Sequence, residues 1–180
     1  MIRILIKRLR DKKSKRLERP VAGSWINVTT PTEEEVYKLV YKYKIPKDFV
    51  LNSLDEDERP RIEKEGKNLL IIIRIPHKKE KEEVVTIPLG IIITEKFFVT
   101  ICLRENEITE DFHQERIQFY TTQKTRFLLQ ILKRTYHYYA RYIDDIERRI
   151  REIEASVSKS LRNEEITRLL KYQKTLVYFN

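Results

Sequence analysis

Asp55-Glu56-Asp57-Glu58-Arg59-Pro60-Arg61-Ile62-Glu63 is the stretch on which the reading of this chain turns. An acidic run gives way at once to Arg-Pro-Arg, and Leu69-Leu70-Ile71-Ile72-Ile73-Arg74-Ile75 follows a few residues later. The acids repel one another and read as a solvated turn. The apolar run is too continuous for a strand with one wet face and reads as a strand covered on both sides. The stretch reads as a charged turn feeding a buried strand, not as a reaction centre.

Upstream, Ile2, Ile4 and Ile6 alternate with Arg3, Leu5 and Lys7, which is the period of a strand. A basic connector fills Arg8 to Arg19, and Trp25-Ile26-Asn27-Val28 reads as a second short strand. Thr30-Pro31-Thr32-Glu33 predicts a helix start, with Thr30 as the cap, Pro31 in the first helical position and Glu33 at the capping-box spacing. Val36, Leu39, Val40 and Tyr43 continue it, Lys44-Ile45-Pro46 stops it, and Pro46 opens a short helix with Phe49, Val50 and Leu54 inward.

Downstream, His77 to Glu83 is a charged link, and Val84 to Thr94 and Phe97 to Leu103 read as two strands joined at Glu95-Lys96. Gly90 inside the first of these marks an expected bulge. After Asn106 the period becomes helical. Thr109-Glu110-Asp111 reads as a helix start with acids placed for the dipole. From Gln123 a long amphipathic helix follows, carried by Leu128, Ile131, Thr135, Tyr139, Tyr142, Ile146, Ile150, Ile153 and Val157. Ser158 to Asn163 reads as a turn, and Ile166, Leu169, Leu170, Gln173, Leu176 and Val177 begin a return helix. That periodicity is still running at Asn180, so the chain is expected to be cut inside a helix. The division expected is an α/β portion over 1–107 and a helical portion over 108–180.

Composition narrows the function. With 41% hydrophobic and 36% charged residues in 180, the chain is globular with a charged surface. A net charge of +9 admits nucleic acid, an anionic membrane surface or no charged partner. Cys102 is the one cysteine, which excludes an intrachain disulfide and suits a small buried hydrophobe. The longest unbroken apolar run, Leu69 to Ile73, is far below the ~20 residues of a membrane span.

Catalytic and nucleotide motifs are missing from the sequence. Three glycines cannot build a phosphate-cradling GxxxxGK[ST] or GxGxxG loop. His77, His113 and His137 are far apart without metal-ligand spacing and read as surface or helix-face residues. No enzyme is expected. Tyr136, Tyr138, Tyr139 and Tyr142 sit among Arg134, His137 and Arg141; they could stack bases, but Tyr139 and Tyr142 at helical spacing read as core. The alternative function is a basic nucleic-acid-binding module using Arg126, Lys133, Arg134 and Arg141.

Taken in order, Trp-Ile-Asn at 25–27, the helix, Ile45-Pro46, the short helix, Leu54, the acidic turn and Arg59-Pro60-Arg61-Ile62-Glu63 resemble the cytoplasmic domain of CorA-type magnesium channels. The resemblance covers most of the chain from Trp25 onward. It implies an α/β/α sandwich with a mixed, partly parallel sheet followed by a long helical hairpin. It further implies a homo-oligomer, a pentamer in the family, on the cytoplasmic side of the membrane, anchored through a stalk and a Gly-Met-Asn pore that this chain lacks. No nucleic-acid partner is then expected. In the family, Mg2+ bound between neighbouring cytoplasmic domains holds the channel closed, and related transporters move Zn2+, Co2+ or Ni2+. Aligning Ile45 and Arg59 puts Asn52 where the family has an acidic ligand, with Asp55 or Asp57 as expected compensating ligands.

Overall fold

Strict alternation along two strands gives the sheet two different faces, and each face acquires its own helical cover. The computed structural model describes residues 1–79, 84–157 and 163–179. Its strands are β1 (Ile2–Ile6), β2 (Lys15–Arg16), β3 (Trp25–Thr29), β4 (Arg61–Glu65), β5 (Asn68–Lys78), β6 (Val84–Ile93) and β7 (Phe98–Cys102). They form a seven-stranded sheet in the order β2-β1-β3-β7-β6-β5-β4. β3 and β7 run parallel, with Trp25 opposite Phe98 and Thr29 opposite Cys102. The pairs β1–β2, β1–β3, β6–β7 and β4–β5 are antiparallel. Both edges are short and charged, Lys15–Arg16 on one side and Arg61–Glu65 on the other, which discourages further strands from adding.

The helices are α1 (Glu33–Tyr37), which runs straight into a π-helical turn over Lys38–Lys42, then α2 (Lys47–Asn52), α3 (Glu107–His113), α4 (Lys124–Val157) and α5 (Asn163–Phe179). Contacts divide the chain into two compact units, Met1–Ile75 with Ile87–Lys133, and Pro76–Thr86 with Arg134–Asn180. The sequence division at residue 107 falls inside the first unit.

The first unit is the expected α/β/α sandwich. On one sheet face, Ile26, Val28, Val99, Ile101, Leu70 and Ile72 pack with Leu39, Ile45, Phe49 and Val50 from the α1–α2 segment. On the other, Trp25 meets Phe112, Phe119 and Phe127 edge-on at 6.4, 5.8 and 5.1 Å between ring centres. Each of these fully buried phenylalanines contributes roughly 2–3 kcal/mol by leaving water. The sandwich, its mixed sheet and the long helix followed by a return helix agree with the sequence reading.

In the second unit, Thr135, Tyr138, Ile146, Ile153 and Thr175 are buried. Here the expectation for the tyrosines shifts by one position. Tyr138 is the buried ring, with the Arg134 guanidinium 4.8 Å above it, while Tyr139 and Tyr142 are half-buried. A stripe of three- and four-residue steps fits either neighbour, and packing selects between them. Ile166, Leu170 and Val177 of α5 are exposed. Residues 158–162 of the expected turn, and 80–83 of the charged link, lie outside the described residues.

Three further expectations are corrected. The cap of α1 is Thr32, not Thr30: its hydroxyl accepts from Glu35 N–H, and Glu35 accepts from Thr32 N–H. Both threonines have Glu three residues on, but Thr30 takes a left-handed φ of 45° and its hydroxyl donates to Leu103 O at 3.0 Å. α3 starts before Thr109, capped by Asn106, whose side-chain oxygen accepts from Thr109 N–H at 2.9 Å. Gly90 sits in regular register opposite Ile101, with no bulge in the β6–β7 ladder. Its role is a close approach: a Cβ there would lie 2.0 Å from Ser53 Oγ.

Candidate functional site

The acidic turn is built by the end of α2 and by arginines reaching in from elsewhere. Asn52 is the last residue of α2, and Ser53 closes it with a hydroxyl donating to Phe49 O at 2.6 Å. Asp55 N–H donates to Asn52 O, and the Asp55 carboxylate accepts Asp57 N–H at 2.9 Å, an Asx-type turn. Arg74 of β5 donates to the backbone carbonyls of Glu56 and Glu58, both at 3.2 Å. Arg104, just after β7, pairs with Glu56 at 3.1 Å, and Arg61 pairs with Glu58 at 3.8 Å and Glu63 at 3.0 Å. Arg61, Arg74 and Arg104 thus hold the turn in shape.

These pairings sort the acids. Glu56 and Glu58 have arginine partners; Asp55 and Asp57 are exposed and, among the described residues, have none. Two carboxylates and the half-buried Asn52 amide are hard oxygen donors of the kind Mg2+ takes alongside retained waters. Among the described residues, no group of three or more His, Cys, Asp or Glu side chains is gathered to hold a metal ion. A cation at this turn would therefore complete its shell from water or from a second chain.

A second constellation, which the sequence reading missed, lies on the other sheet face. Trp25 Nε1–H donates to Thr100 Oγ1 at 2.8 Å, and Thr100 Oγ1–H donates to Asn27 Oδ1 at 2.8 Å. The Asn27 amide then lies 2.7 Å from His113 Nε2. Indole is a donor only, so the chain has one direction, and His113 Nε2 must accept. His113 is accordingly neutral, with its proton on Nδ1, and its ring stacks on Trp25 at 4.6 Å. Burial, then the positive charge of Arg3, push its pKa down to about 4, against a smaller opposing pull from Glu110. Burial also raises Glu110, but hydrogen bonds from Gln114 and Arg3 outweigh it and hold that carboxyl below its usual range. Trp-Ile-Asn is therefore a structural element: positions 25 and 27 share one face and tie the parallel strand pair to α3. The alternation itself was the available signal, since it put an indole and an amide side by side.

Cys102 is buried, its thiol directed at Pro88 O at 3.5 Å and its pKa raised by burial, which suits a packing residue. The nucleic-acid alternative gains nothing from the geometry. Arg126 lies over the Tyr120 ring at 5.8 Å and Arg134 over Tyr138, so cations and rings pair within the chain. Among the described residues, no helix is long and apolar enough to cross a membrane.

This architecture is one already seen in metal-transport proteins. The solved structure of the soluble domain of CorA from Methanocaldococcus jannaschii is 27% identical and matches with a TM-score of 0.85, over 99% of this chain and 73% of that one. The complete structure of the CorA magnesium transporter from the same organism matches at 27% identity and a TM-score of 0.83, over 99% of this chain and 58% of that one. Among curated proteins, the cobalt/magnesium transport protein CorA of that organism is 29% identical over 165 residues, 87% of this chain and 50% of its own length. The family described as CorA-like Mg2+ transporter protein matches residues 22–180, and the chain belongs to it. The chain spans about half the length of the curated relative it matches.

Proposed function

We propose that these residues form the cytoplasmic, ion-sensing part of a divalent-cation transporter and carry no enzymatic activity. The observation that carries the reading is the match of 99% of this chain to a soluble CorA domain. The ion sensed is Mg2+ first, with Co2+, Ni2+ or Zn2+ as alternatives; the curated relative is named for cobalt and magnesium. In the whole protein we place membrane attachment and the conduction path outside residues 1–180, and assembly as a homo-oligomer, a pentamer.

Asn52, Asp55 and Asp57 are the proposed ligands on this chain, facing oxygens from a neighbouring subunit. The mechanism is electrostatic. Without the ion, carboxylates facing each other across an interface repel; with it, one packing is stabilised and the population shifts toward the closed arrangement. What supports this is the sorting of the turn, where the two glutamates are held by arginines and the two aspartates are left exposed.

Limited proteolysis of the full-length assembly tests it. Mg2+ should protect the wild type, and Asp55→Ala/Asp57→Ala should need about tenfold more Mg2+ for the same protection. Identical protection curves would remove these acids from the site.

A further inference from the structure

The first unit also holds a cleft of about 920 Å³, within the size range of ligand pockets, that shares no residue with the acidic turn. Four separate segments line it: Glu18–Pro20 before β3, the π-turn region at Lys38 and Lys42–Lys44, Lys67–Asn68 between β4 and β5, and Thr94–Phe97 between β6 and β7. Six cations face two carboxylates there. One carboxylate, Glu95, is taken up by Lys67 at 2.7 Å. Among the described residues, Arg19, Lys38, Lys42, Lys44 and Lys96 have no ion-pair partner, although Lys38 lies 5.9 Å over the Tyr43 ring.

Lys38, Lys42 and Lys44 share the π-turn region, and Arg19, Lys67 and Lys96 join them on the same concavity from distant parts of the sequence. Low-dielectric walls focus such a field onto whatever enters. The backbone adds an independent observation. Tyr43 N–H donates to Lys38 O and Ile45 N–H to Leu39 O, both at 3.1 Å, so the helix is widened at its end. Lys44 then takes a left-handed φ of 59°, where glycine would be easier.

We propose that this cleft binds a polyphosphate anion, with Lys38, Lys42, Lys44 and Lys96 as its counter-charges. A cleft this size is far larger than one phosphate needs, and a run of phosphates matches several separated lysines better than a single ion does. Lysine acts in such sites as a mobile point charge. The anion is a nucleoside triphosphate or inorganic polyphosphate; both present the same chemistry to these residues.

Calorimetry on the 180-residue chain, at low and high salt, separates them. Tripolyphosphate and ATP should bind, adenosine should not, and affinity should fall as salt rises. Tighter binding of ATP than of tripolyphosphate assigns the site to a nucleotide; equal binding assigns it to the phosphate chain. Lys42→Glu/Lys44→Glu should weaken binding by about tenfold or more. Lys12→Gln/Lys13→Gln, exposed lysines outside the cleft, should leave it unchanged. Lys44→Gly should weaken binding while raising the melting temperature, which excludes misfolding as the cause. Absence of binding at low salt, binding of adenosine alone, or equal weakening by the Lys12/Lys13 variant would overturn the proposal.

Discussion

Gly90→Ala is expected to destabilise the chain by about 1–3 kcal/mol through one contact. The new Cβ would lie 2.0 Å from Ser53 Oγ, 2.4 Å from Ser53 Cβ and 3.2 Å from Ser53 Cα. Carbon atoms rest at about 3.5–4.0 Å, so β6 and α2 must separate by roughly an ångström. α2 resists, because Phe49 and Val50 are fully buried beneath it. At about 2–4 °C per kcal/mol for a chain of this size, the melting temperature falls by several degrees. Ser53→Gly removes the two nearest atoms but loses the hydroxyl bond to Phe49 O, about 1 kcal/mol by itself. The double variant should therefore lose less than the sum of the single ones, with a coupling of about 1–2 kcal/mol. Urea unfolding followed by circular dichroism measures all three. A Gly90→Ala variant within about 0.5 kcal/mol of wild type, or strict additivity in the cycle, would refute the close-approach argument.

Two further predictions concern the buried chain behind Trp25. His113 has a folded pKa of about 4 against an ordinary 6.5, so between these values the unfolded chain takes up the proton first. Its stabilisation is fully present above about pH 6.5 and is lost as pH falls toward 4, amounting to roughly 2 kcal/mol after allowance for its partial exposure. Glu35, Glu110 and Glu115 are held below the carboxylate value of 4.5, so their loss begins at lower pH and the histidine is read above about pH 5. His113→Gln should flatten the stability curve between pH 5 and 6.5; an unchanged slope would contradict the assignment. Thr100→Val removes the acceptor of Trp25 and the donor to Asn27 at once, and should lower stability by roughly 2–4 kcal/mol in urea, whereas Thr100→Ser should remain within about 1 kcal/mol. Equal losses from both would contradict the assignment of the effect to the hydroxyl.

What was legible in the sequence was what is local and periodic. Alternation marked β1 and β3, the unbroken apolar run at 69–73 marked β5, and helical spacing marked α4. What failed depended on contacts between distant residues. Thr30 and Thr32 carry the same capping signal, and a hydrogen bond to Leu103 decides between them. Gly90 is legible as special but not as a place where α2 passes close. His113 looked solitary because its partner Asn27 is 86 residues away. The acidic turn was legible as a solvated cluster, yet the sorting of its acids required Arg74 of β5 and Arg104 just after β7, which no local pattern connects to it.

The most direct test is ion flux through the full-length protein in liposomes, recorded as internal Mg2+ is raised, for wild type and for Asp55→Ala/Asp57→Ala. Wild-type flux should shut off as internal Mg2+ rises, and the double variant should need about tenfold more ion to shut. Superimposable shut-off curves would contradict the assignment of ion sensing to this turn.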